Sequence, residues 1–85
     1  MQLVLMLYEQ AIVGCESQDP RRAREAIREL VGGLNLDYKE IATGLFRLYE
    51  YCHWEVQHGR FHSAAEILRR LKQAWEEALA TQRSQ

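Results

Sequence analysis

The sequence has 85 residues, 47% of them apolar and 27% charged, with a single proline and five glycines. That balance excludes a disordered tail, and the length makes one domain, residues 1–85, whose folding hides roughly 60–65% of the surface its unfolded chain exposes. Eleven basic side chains against twelve acidic ones leave a net charge of −1, so there is no long-range field to draw in nucleic acid or an anionic membrane, and any partner is recognised at short range.

The chain opens on Leu3-Val4-Leu5-Met6-Leu7-Tyr8, which is too short for a signal core, has no basic flank and falls short of a membrane span, so the expected location is cytoplasmic. The first helix, α1, is predicted over 2–17. Leu3, Leu7 and Ala11 cover one of its sides, Leu5, Tyr8 and Ile12 a second, Met6 and Val13 a third, and only Gln2, Glu9 and Glu16 make a polar seam. A helix apolar almost all round is expected to be buried almost all round. In a bundle of four, one of its faces is left for something else.

Asp19-Pro20 reads as an N-cap followed by proline at the first helical position, where the missing N–H costs nothing. It starts α2, predicted over 20–31. Ala23, Ala26, Ile27, Leu30 and Val31 form a narrow apolar stripe, backed by Arg21, Arg22, Arg24, Arg28, Glu25 and Glu29. Because acids and bases alternate at helical spacing, this face reads as solvated and not as a phosphate site.

Gly32-Gly33 is expected to supply a left-handed C-terminal position, and Asp37-Tyr38-Lys39-Glu40 a capping-box start for α3, predicted over 38–58. Its core line is expected at Ile41, Leu45, Leu48, Cys52 and Val56, widened by Tyr38, Ala42, Phe46 and Tyr49. Tyr51 and Trp54 fall on the far side and, three residues apart, can touch. They read either as isolated surface aromatics or as part of a groove for an apolar segment of another chain. Gly59 ends α3, and Ser63-Ala64-Ala65-Glu66 is expected to open α4, predicted over 63–82. The wide apolar half-cylinder of α4 holds Ala64, Ile67, Leu68, Leu71, Ala74, Trp75, Ala78 and Leu79. Short connections make consecutive helices antiparallel, and the expected fold is an all-α, up-and-down four-helix bundle.

The residues offer little chemistry. Cys15 and Cys52 sit inside apolar helical patterns and read as small buried hydrophobes, not as a disulfide. His53, His58 and His62 do not make a metal site, because Gly59 and Arg60 interrupt the helix and no further ligand completes the set. With no phosphate loop, nucleophile elbow or paired acids, neither a catalytic residue nor a cofactor is expected, and the protein is not read as an enzyme.

With the helices placed, Met6-Leu7-Tyr8-Glu9-Gln10-Ala11-Ile12 resembles the "MLYEGAI" helix of the flagellar secretion chaperone family, FliS. Leu36-Asp37 with Glu40-Ile41-Ala42 and Leu45-Phe46-Arg47-Leu48-Tyr49-Glu50-Tyr51 resembles the family's "LD…GEIAxNLxxLYxY" segment, and Ile67-Leu68 through Ala74-Trp75-Glu76-Glu77-Ala78 its terminus. The resemblance implies a cytoplasmic chaperone that holds the disordered C-terminal segment of flagellin, prevents premature polymerisation and delivers it to the export apparatus. Leu5, Tyr8, Ile12, Ile41, Leu45, Tyr49, Tyr51 and Trp54 are then the candidate client contacts or groove supports. Three features depart from the family. Its N-terminal arm has no counterpart ahead of the "LY" helix, the α1–α2 hairpin is shorter, and Gly44 stands where the family has asparagine. The alternative is a homo-oligomeric module, such as a homodimer, in which the same faces meet and no client exists.

Overall fold

A computed structural model describes residues 2–35 and 37–83 of the chain; Leu36 and the side chains of Gln2, Gln82 and Arg83 lie outside the described residues. Four helices account for most of it: α1 at Gln2–Glu16, α2 at Pro20–Gly32, α3 at Lys39–Gln57 and α4 at Phe61–Arg83. The protein is an all-α four-helix bundle. Helix α1 packs on α2 and α4, and α3 packs on the same two from the opposite corner. Contacts between α1 and α4 run in opposite chain order, for Glu16 meets Arg69 while Tyr8 meets Trp75.

Local chemistry explains the first turn. The Asp19 carboxylate accepts the Arg22 N–H at 3.2 Å and Pro20 follows as the first helical residue. Such a cap contributes about 0.5–2 kcal/mol. The turn before it closes through Gln18, which takes a left-handed φ of 55°, and through the Asp19 N–H, which donates to the Gly14 carbonyl at 2.7 Å.

Three expectations at helix ends are corrected. Gly33 caps α2 with φ −92°, outside the left-handed region, by donating its N–H back to the last turn. Asp37 does not cap α3; its own N–H donates to Asn35 Oδ1, and Tyr38 occupies the cap position without a side-chain bond. Helix α4 starts at Phe61, two residues early, because Gly59 turns the chain at φ 73° and the Ser63 hydroxyl is engaged by Glu55 Oε1 at 2.7 Å.

Towards the α1–α2 and α3–α4 turns the core holds Cys15, Ala23, Ala64, Ala65, Cys52 and Val56, all buried. Small residues let the backbones approach closely there. Both cysteines are free thiols. The α3 core line keeps Leu45, Cys52 and Val56 but takes Ala42 and Tyr49 in place of Ile41 and Leu48, and Tyr38 and Phe46, expected to widen it, are exposed. Ala42, Tyr49, Cys52 and Val56 are buried, Leu45 is half-buried, and Ile41 and Leu48 are exposed. Helix α1 is not covered all round either, since Leu3 and Met6 stand exposed while Tyr8, Ala11, Ile12 and Cys15 face the core. Among the described residues no helix is long and apolar enough to cross a membrane.

Candidate binding trough

The α3–α4 seam is tied at its turn, where the Ser63 hydroxyl donates to Glu55, and towards the other end apolar side chains stay exposed. Ile41 and Leu48 on α3 and Ala74 and Ala78 on α4 all remain exposed. The space left at that end is a trough of about 650 Å³. Its walls are Leu3, Val4 and Leu7 from α1, Leu30 and Leu34 from α2 and the loop after it, and Tyr38, Ile41, Ala42 and Leu45 from α3. Glu29 and Asn35 are polar members of its lining, and Tyr49 and Trp75 also border it. The exposure of Leu3 (65%) and Ile41 (64%) places unshielded apolar surface on both flanks. A second apolar hollow of about 510 Å³ lies beside the first and shares Leu34 and Ala42, with Val31 and Phe46.

A polar network lies within the otherwise apolar core next to the trough. The Tyr8 and Tyr49 hydroxyls are 2.5 Å apart, their rings meet edge to face, and Trp75 Nε1–H donates to the Tyr8 oxygen at 3.1 Å. Buried polar groups must be partnered, and this network partners three from three different helices. Burial, reinforced by the Tyr49 contact, pushes the Tyr8 hydroxyl far above the ordinary phenol value, and burial raises Tyr49 as well. Both are neutral at any physiological pH.

The eight candidate residues divide into three groups. Ile41, Leu45 and Tyr49 border the trough. Tyr8 and Ile12 are buried on the inner face of α1 and Leu5 is half-buried on the same helix, and none of the three belongs to the lining. Tyr51 and Trp54 lie elsewhere, on the outer side of α3. Their rings stack at 6.1 Å, the His58 imidazole stacks on Trp54 at 4.2 Å, and the Arg60 guanidinium lies over the indole at 5.2 Å. The i,i+3 contact expected for them is present, but they form a separate aromatic surface near the α3–α4 turn. Leu3, Leu7, Leu34, Tyr38 and Trp75 were not among the candidates. The shared side of Leu3 and Leu7 was readable in the sequence, whereas Trp75 reaches the site only through the packing of α4 on α1.

Two solvent-exposed ion pairs cross the α1–α4 seam. Arg69 pairs with Glu16 at 2.5 Å, and Lys72 pairs with Glu9. On α2 the exposed Arg21–Glu25 pair at 3.5 Å is of the kind worth little, and Arg22 forks onto Gln10 Oε1 at 2.9 and 2.7 Å. Burial lowers His53, helped by the positive Arg28 beside it. Among the described residues no group of three or more His, Cys, Asp or Glu is placed to hold a metal ion. Compared with protein-family models, curated proteins and solved structures, the chain has no match.

Proposed function

We propose that this bundle binds an apolar segment of another polypeptide in the trough, as a cytoplasmic flagellar export chaperone whose client is the disordered C-terminal segment of flagellin. The observation that carries the reading is the open end of the bundle, where Leu3 and Ile41 flank a trough bordered by apolar side chains from all four helices. Such a surface suits a helix-in-groove partner, whose apolar face replaces the covering that a closed bundle would supply itself. The client's identity rests on the sequence resemblance alone. Burial of client residues that later pair with other flagellin subunits holds them apart until export, and the ordering of a disordered segment consumes part of the contact energy, which favours release.

A second reading is self-association. Met6 and Phe46 are also exposed, outside the trough lining of about 650 Å³, and a second copy would cover them together with Leu3 and Ile41. Light scattering on the purified chain, alone and with a flagellin C-terminal peptide, separates the two. A monomer that forms a one-to-one complex supports the chaperone; a dimer unaffected by the peptide supports self-association.

A further inference from the structure

His53 is a polar member of the α2–α3 seam. The half-buried ring lines a hollow of about 190 Å³ together with Ile27, Arg28 and Val31 of α2 and Glu50 of α3, and its Nε2 is shut off from solvent. The walls of this hollow come from α2 and α3 alone. Ile27 and Val31 cannot solvate a charge placed beside them. The guanidinium groups of Arg28 and Arg24, both on α2, repel a second cation, while on α3 itself Glu50 and the neutral Gln57 favour it. Among the described residues no carboxylate forms an ion pair with the ring, so the positive neighbours across the seam are not offset at close range. The neutral imidazole suits this position and the imidazolium does not.

We propose that His53 is a proton-operated latch between α2 and α3, which holds the seam while neutral and weakens it on protonation in mild acid. Because the folded ring resists the proton, the unfolded chain takes it up first. The contribution of the neutral ring is complete above the ordinary histidine value of 6.5 and is lost as the pH falls below it, a window lying above the range in which carboxylates titrate. Val31 belongs to the linings of both this hollow and the apolar one beside the trough. On the reading of the trough as a binding site, the latch therefore makes the α2 wall next to that site sensitive to pH.

Urea unfolding at pH 7.5 and 5.5, with the His53 ring followed by NMR over the same range, tests the latch. On acidification the unfolding constant of wild type should rise by up to about tenfold, the limit for one imidazole protonated only in the unfolded chain, and the folded ring should titrate below 6.5. His53→Gln, neutral at both pH values, should lose that rise. Arg28→Gln removes one repelling charge from the facing helix and should keep only part of it, a result that a merely structural role for His53 would not produce. His58→Gln and His62→Gln, at exposed positions, should keep it in full. An undiminished rise in His53→Gln, or a folded wild-type ring titrating at or above 6.5, overturns the proposal, and the second reading needs no variant to fold. Both measurements concern the seam alone, so either result leaves the binding role of the trough to its own test.

Discussion

The backbone of Ala23 passes so close to Gly14 that a β-carbon on the glycine would stand 2.6 Å from the Ala23 nitrogen and 2.9 Å from its α-carbon. This contact sets the spacing of α1 and α2 near their turn, and the obstructing atoms are backbone, which cannot swing aside. Gly14→Ala gains helix propensity but forces the helices apart. The net expectation is a loss of about 1–3 kcal/mol, measured by urea unfolding.

Gly44 gives the opposite result. It lies inside α3 with nothing within 4 Å of an added β-carbon, so Gly44→Ala removes only the backbone freedom of the unfolded chain. A gain of about 0.5–1 kcal/mol is expected in the same measurement.

Alkaline conditions should weaken the fold. Burial pushes the Cys15 thiol from 9.0 up to about 11 and Cys52 to about 12, and it raises Tyr8 and Tyr49 above 10.0. Folded-state values raised in this way mean that the unfolded chain loses these protons first. The associated stability is complete below pH 9 and declines as the pH rises towards the folded values, by up to about 1.4 kcal/mol per pH unit for each group titrating in only one state. Urea midpoints at pH 7.5, 9 and 10.5 measure the decline, and native thiols should react with a disulfide reagent only as fast as the protein opens.

At the α3–α4 turn the buried Glu55 carboxylate accepts the Ser63 hydroxyl on Oε1, and the Tyr51 hydroxyl is a second, weaker influence on it. That hydrogen bond, more than any other influence, holds Glu55 below its ordinary value of 4.5. A depressed carboxyl stabilises the fold above that value, and the contribution is lost as pH falls through the folded value. Ser63→Ala should therefore cost about 1–3 kcal/mol at pH 7 and make the remaining stability less sensitive to acid, as read from unfolding curves between pH 3 and 7.

Much of the fold was legible because turn chemistry and helical period agree. Asp19-Pro20 and Gly59 punctuate the chain where expected, and the apolar stripe of α2 is buried at Ala23, Ala26, Ile27 and Leu30. The α3 core line was misplaced because Leu45, Cys52 and Val56 fit two neighbouring registers, and Ile41 and Leu48 outweigh Ala42 and Tyr49 in hydrophobicity. What decides between them is which side of α3 meets α2 and α4, a property of the assembled bundle. Surplus apolar surface on α1 was readable, but its place was not. Leu3 and Met6 carry the exposure, while Leu5 is half-buried and Ile12 is in the core. The Tyr8–Tyr49–Trp75 network joins residues 41 and 67 positions apart, and no local pattern announces such a meeting.

The most direct test of the trough as a polypeptide-binding site is a backbone chemical-shift map of the labelled chain titrated with a flagellin C-terminal peptide. The expected result is saturable shifts concentrated at Leu3, Leu7, Leu34, Tyr38, Ile41 and Leu45, abolished by Ile41→Glu, with Arg21 and Glu25 on the outer face of α2 unmoved. Shifts confined to other surfaces, or a full response in the Ile41→Glu variant, would contradict it.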